Sequence, residues 1–108
     1  MKNIILCSSN PMLSKSLYCV LREEGFNVEI VEHPSLAVHK VLFGKYDFVI
    51  IDSEPFGLSA GDAVEIIKTV SPGTPTIVVG GGVGADVPSV ETPVDLEEFK
   101  HTIHSIAV

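Results

Sequence analysis

The sequence predicts a three-layer α/β domain built on a doubly wound parallel sheet of five strands. Three observations predict it. Short apolar runs recur along the 108 residues, segments of helical period lie between most of them, and the first and third runs are apolar on both sides, as interior parallel strands are. Strands that alternate with helices are joined by right-handed crossovers, which place helices on both faces of the sheet.

The strand-like runs are Ile4–Cys7, Val28–Val31, Phe48–Ile51 and Thr76–Val79, with a weaker one around Val87–Glu91. The first helix takes Asn10 as its cap and Pro11 at its first position, where a missing N–H costs nothing, and it ends at Gly25. Its buried stripe is Leu13, Leu17, Val20 and Leu21, which leaves Cys19 on the other side. A second helix spans about Ser35 to Phe43 with Ala37, Val38, Val41 and Leu42 on one face. A third spans about Gly61 to Val70 with Ala63, Ile66, Ile67 and Val70 inward. The last opens on Asp95, with Glu98 three residues on as in a capping box, and carries Leu96, Phe99, Ile103 and Ile106 at helical spacing. One crossover lacks a helix. From Gly80 the chain reads GGGVGADVPSV, and four glycines in five residues followed by Pro88 leave the fourth strand to reach the fifth through a loop.

Composition narrows the function classes. A chain of 108 residues holds one domain, residues 1–108, with a single core. Fourteen acidic against seven basic residues give a net charge of -7, which repels phosphate backbones and anionic lipid, so neither nucleic acid nor membrane is an expected partner of this domain. No apolar run approaches a membrane span, and the chain begins on a strand-like segment instead of a basic-then-apolar leader, so a cytoplasmic location is expected. Cys7 and Cys19 have no spacing that suggests a disulfide framework or a zinc site, and they read as reduced structural thiols. His101 and His104 lie three apart with Glu97 four before the first, yet no fourth ligand accompanies them, and a solvated helix face is the simpler reading. His33 and His39 have no partner that the sequence names. The acids Glu23, Glu24, Asp95, Glu97 and Glu98 read as solvated helix faces, the last three near a helix N-terminus.

Four segments carry a resemblance: ILCSSNP, FVIIDSEPFG, PTIVVGG and ETPVDLEEF, in that order. Together they resemble the receiver domain of bacterial two-component response regulators over nearly the whole chain. The resemblance implies a flavodoxin-like (CheY-like) sheet of order 2-1-3-4-5, here lacking the family's fourth helix, with a site beyond the carboxyl ends of strands one and three. It implies Asp52 as the phosphoacceptor position, with Ser8, Ser9, Glu54, Gly80 and Thr92 around it.

Those positions depart from the family pattern. Ser8 and Ser9 stand where an acidic pair holds Mg²⁺, a hard cation that prefers carboxylate and carbonyl oxygens, so the metal candidates reduce to Asp52 and Glu54. Gly80 replaces a hydroxyl residue after strand four, Thr92 replaces a lysine after strand five, and Pro55 falls one residue early. Phosphoryl transfer depends on positioning and electrostatics, so losing metal ligands and the cation together costs roughly 10³-fold or more in rate. The expectation is a degenerate receiver-like domain, not an enzyme and without a cofactor, that binds a signalling protein or its own copy. Asp52 is then a partly solvated strand-end carboxylate held by backbone N–H groups. Without the fourth helix, apolar side chains from Ile77, Val78, Val79 and Val90 are expected to be exposed and to support a homodimer through strands four and five. Two alternatives stay open: an unconventional receiver phosphorylated on Asp52 with Mg²⁺, and a small-ligand-binding flavodoxin-like domain. The glycine run reads as a loop closure, because a phosphate cradle leads into a helix and none follows.

Overall fold

The computed structural model describes residues 2–52, 60–80, 89–90 and 95–107. Within them the elements run β1 (Asn3–Cys7), α1 (Pro11–Glu23), β2 (Asn27–Val31), α2 (Pro34–Phe43), β3 (Phe48–Asp52), α3 (Ala60–Val70), β4 (Thr76–Val79), β5 (Ser89–Val90) and α4 (Leu96–Ala107). All described pairings are parallel, in the order β2-β1-β3-β4-β5. Four strands of four or five residues carry the sheet, and β5 adds a two-residue edge. The loop expected in place of a helix after β4, with Val87 and Glu91, lies outside the described residues.

Period-2 alternation divides the core between the two faces. Ile4, Leu6, Phe48, Ile50, Ile77 and Val79 point to one face, where Leu17, Val20 and Leu21 of α1 and Phe99 and Ile103 of α4 cover them. Ile5, Cys7, Val49, Ile51 and Val78 point to the other, under Ala37 and Val41 of α2 and Ala63, Val64 and Ile67 of α3. Every residue of β1 from Ile4 onward and of β3 up to Ile51 is buried, which is why those runs read as apolar on both sides. At the edge, β2 buries only Val31 fully and leaves Ile30 47% exposed.

Two helix stripes differ from expectation. On α2 the buried set is Pro34, Ala37 and Val41 with Val38 partly covered, while Leu42 is 52% exposed. On α3 the buried set is Ala63, Val64 and Ile67, while Ile66 is only half-buried and Val70 is 43% exposed. Both helices carry more apolar residues than one stripe can hold, and only those that face the shared cluster of α2, α3 and the sheet are buried. On α4, Phe99 and Ile103 are buried and Leu96 is 40% exposed, and the Ile106 side chain lies outside the described residues.

The expected apolar exposure at the fourth strand is corrected. Ile77 and Val78 are 0% exposed and Val79 is 1% exposed, each packed into one of the two clusters. Val78 packs in the cluster of α2 and α3, and Thr76–Val79 offers no exposed apolar side chain to a second copy. The Val90 side chain is outside the described residues.

Candidate functional site

The parallel register sets the site. Cys7 of β1 pairs with Ile51 of β3, so the next residue of each strand, Ser8 and Asp52, leaves the sheet at the same carboxyl end. Asp52 in turn pairs with Val79 of β4, which puts Gly80 at the same rim. Gly80 adopts φ 105°, in the left-handed region that glycine enters without a side-chain clash. Ser8 is 5% exposed and its N–H continues the ladder to the Val31 carbonyl at 3.0 Å. Ser9 turns outward and is exposed.

The Ser8 hydroxyl is the hub of the pocket. Oγ lies 3.2 Å from Asp52 Oδ2 and 3.4 Å from the Asn10 carbonyl, and it accepts the Asn10 N–H at 3.1 Å. A hydroxyl has one proton, and the shorter distance leads to the carboxylate, where charge strengthens the bond; Ser8 therefore donates to Asp52. Asn10 passes the link into α1, since its Oδ1 accepts from Met12 N at 3.1 Å and Leu13 N at 3.2 Å. A chain of hydrogen bonds thus runs from the end of β3 through the end of β1 to the first turn of α1.

Beneath it, burial, with the Asp52 charge adding to it, pushes the Cys7 thiol up to about 12. A thiol so disfavoured as thiolate is not a nucleophile at neutral pH, in line with the structural reading. Cys19 is free and exposed on α1.

The described donors do not by themselves fit Mg²⁺. Among the described residues no group of three or more His, Cys, Asp or Glu could hold a metal, and the site offers one carboxylate and a neutral hydroxyl whose proton faces that carboxylate. Glu54 and Thr92, the other positions that the resemblance implied, lie outside the described residues, as do Pro55 and the GGGVGAD run.

Other sequence candidates resolve differently. His104 Nε2 lies 3.1 Å from Glu24 Oε2, tying α4 to the end of α1, while Lys100 reaches Glu97 at 3.6 Å and His101 is exposed. The histidine pair therefore does not converge on a metal, and Glu24 is not merely solvated. His39 meets Phe43 with the rings tilted at 53° and centroids 4.8 Å apart, a partner that i,i+4 spacing could have named. The same holds for Ser8 and Asn10: a serine two residues before a capping Asn-Pro is the local signature of a hydroxyl that accepts from the i+2 N–H.

No protein-family model matches the sequence, and no curated protein is significantly similar to it. Solved structures are similar over nearly the whole length. A response regulator of Thermotoga maritima, determined with Mg²⁺ and BeF, has a TM-score of 0.88 at 24% identity, covering 98% of this chain and 99% of that one. A CheY-like receiver domain protein from Methanospirillum hungatei has a TM-score of 0.87 at 20% identity, covering 97% and 92%. The receiver domain of a sensor histidine kinase from Pseudomonas aeruginosa, with a magnesium ion coordinated in its active-site cleft, has a TM-score of 0.86 at 20% identity, covering 99% and 98%. With β2-β1-β3-β4-β5 order, Asp52 at the end of β3 and this structural likeness together, the chain has the fold of CheY-like response-regulator receiver domains.

Proposed function

We propose that the protein is a receiver-like signalling module of the two-component type that acts by binding a protein partner and not by being phosphorylated. The observation that carries this reading is the Ser8 hydroxyl donating to Asp52 at 3.2 Å, where the receiver pattern expects acids that hold a cation. A phosphoryl group arriving at Asp52 meets a carboxylate already engaged by a neutral donor, a glycine at position 80 and no described metal-binding cluster. Transition-state charge is then left without the cations that normally offset it. The net charge of -7 disfavours nucleic acid and anionic membranes as partners, and no helix of the described residues is long and apolar enough to cross a membrane.

Mass spectrometry after incubation with acetyl phosphate and Mg²⁺ tests the reading. The expected outcome is an unmodified mass for the wild type under conditions that modify an ordinary receiver. A phosphoryl adduct present in the wild type and missing from Asp52→Ala would instead establish the unconventional, phosphorylatable receiver.

A further inference from the structure

We propose that the Ser8 hydroxyl takes the place of a divalent cation at Asp52, acting as an internal latch that holds β1, β3 and the start of α1 in one arrangement without metal. This rests on the receiver-like reading of the site, but it concerns the pocket's own residues and is tested separately.

Three observations support it. Ser8 is nearly fully buried, so its hydroxyl cannot exchange freely with water and must find partners within the protein. Its backbone is fixed by the N–H bond to Val31 of β2, which leaves only the side-chain rotor to choose among acceptors. Within reach of that rotor lie the Asp52 carboxylate at 3.2 Å and the Asn10 carbonyl at 3.4 Å, while the Asn10 N–H occupies one of the oxygen's lone pairs. The charge on Asp52 selects the first acceptor. A cation approaching the same carboxylate oxygen would have to displace the hydroxyl proton, and a neutral Ser8 would give it one weak ligand in exchange. The latch and the cation are therefore alternatives at one oxygen atom.

Asn10 makes the latch more than a local bond. The residue whose N–H and carbonyl both face the Ser8 hydroxyl is also the one whose side chain caps α1, so loosening Ser8 loosens the helix start.

The experiment is a double-mutant cycle on the full chain, read by thermal unfolding with and without millimolar Mg²⁺. Ser8→Ala and Asp52→Ala are each expected to lower the melting temperature by roughly 5 °C, and the double variant to lose clearly less than the sum of the two, because the singles share one interaction. Additive losses would overturn the latch. Mg²⁺ is expected to leave the wild-type melting temperature unchanged. A saturable rise in the wild type that disappears in Asp52→Ala would overturn the proposal. Ser8→Asp supplies an arm that does not depend on Ser8→Ala folding: it should gain a Mg²⁺-dependent rise of several degrees that is lost again when Asp52→Ala is added. Insensitivity of folded Ser8→Asp to Mg²⁺ would refute the claim that hydroxyl and cation compete for one place. A phosphoryl adduct on Asp52 with the Ser8–Asp52 coupling intact would support the latch and overturn only the functional reading.

Discussion

On one face of the sheet the helices α1 and α4 bring Leu17, Leu21, Phe99 and Ile103 against Phe48, Ile50 and Ile77; on the other, α2 and α3 bring Ala37, Val41, Ala63 and Val64 against Val49, Ile51 and Val78. Phe26 and Phe48 meet edge to face on the first side, with centroids 5.6 Å apart at 85°. The ends differ as much as the cores. Asn10 and Asp95 cap α1 and α4 with side-chain bonds of 2.9 to 3.3 Å, whereas His33 opens α2 with no side-chain cap. Helix α1 also closes cleanly, with Gly25 at φ 91° and the paired bonds Gly25 N to Arg22 O at 3.0 Å and Phe26 N to Leu21 O at 3.1 Å. The lesson is that helix placement is most fully determined where the site needs it, since Ser8 and Asn10 are held by the same turn that starts α1.

The sharpest way to break this comparison is to truncate one aromatic on each side. Phe99 is 0% exposed in the α1–α4 cluster, and Phe99→Ala should cost about 3–5 kcal/mol, a large share of the roughly 5–15 kcal/mol that holds a domain of this size. Phe43 is 79% exposed at the end of α2, and Phe43→Ala should change stability by no more than about 0.5 kcal/mol. Urea unfolding with the slope monitored would measure both. Comparable losses would mean that the outward aromatic of α2 is structural and that the two faces are not unequal.

Capping gives a smaller contrast. Removing the Asn10 side chain with Asn10→Ala should destabilise by about 1 kcal/mol, because two first-turn N–H groups lose their acceptor. At the matching position of α2, His33→Ser should be neutral or gain a few tenths of a kcal/mol, since nothing is lost and a cap becomes available. If His33→Ser destabilises as much as Asn10→Ala, α2 is held at its start by something other than a cap.

How much of this was legible in the sequence follows from what periodicity can and cannot report. Apolar runs at β1 and β3 and the Asn10-Pro11 start of α1 are local signals, and they placed those elements within a residue or two. The stripes of α2 and α3 were misplaced at Leu42, Ile66 and Val70 because a 3.6-residue period fits two overlapping stripes, and only the neighbouring helix and sheet decide between them. Neighbours also account for the mistaken exposure at β4: Val78 lies in the cluster of α2 and α3, and Ile77 and Val79 lie in the cluster of α1 and α4. At the site, the resemblance brought Ser8, Asp52 and Gly80 together, but it described Ser8 only as a poor metal ligand. That Ser8 donates to Asp52 depends on register and rotamer across 44 residues of chain, and no pattern in either segment carries that information. The Glu24–His104 contact spans 80 residues and was invisible for the same reason.

The smallest effect concerns the exposed edge at β2, where Lys40 of α2 reaches Glu29 at 2.9 Å and the Tyr46 hydroxyl donates to the same carboxylate at 3.1 Å. The Lys40 hydrogen bond above all, aided by Tyr46, holds the Glu29 carboxyl below its ordinary 4.5, and the same bond raises the Lys40 ammonium above 10.5. A depressed carboxyl contributes stability that is present above pH 4.5 and is lost as the pH falls through the folded value; a raised ammonium contributes below pH 10.5 and loses it as the pH rises through its own. Between those limits Glu29→Gln should therefore melt slightly below the wild type by a constant margin, converging with it at the acid end. Both side chains are more than 40% exposed, at 41% and 46%, so the margin should also shrink with added salt. Melting curves across pH at low and high salt would check this. A margin that survives both acid and salt would move the cause from the ion pair to the packing of Tyr46 against the α2–α3 cluster, and would make the edge at β2 a second place where that face is firmly held.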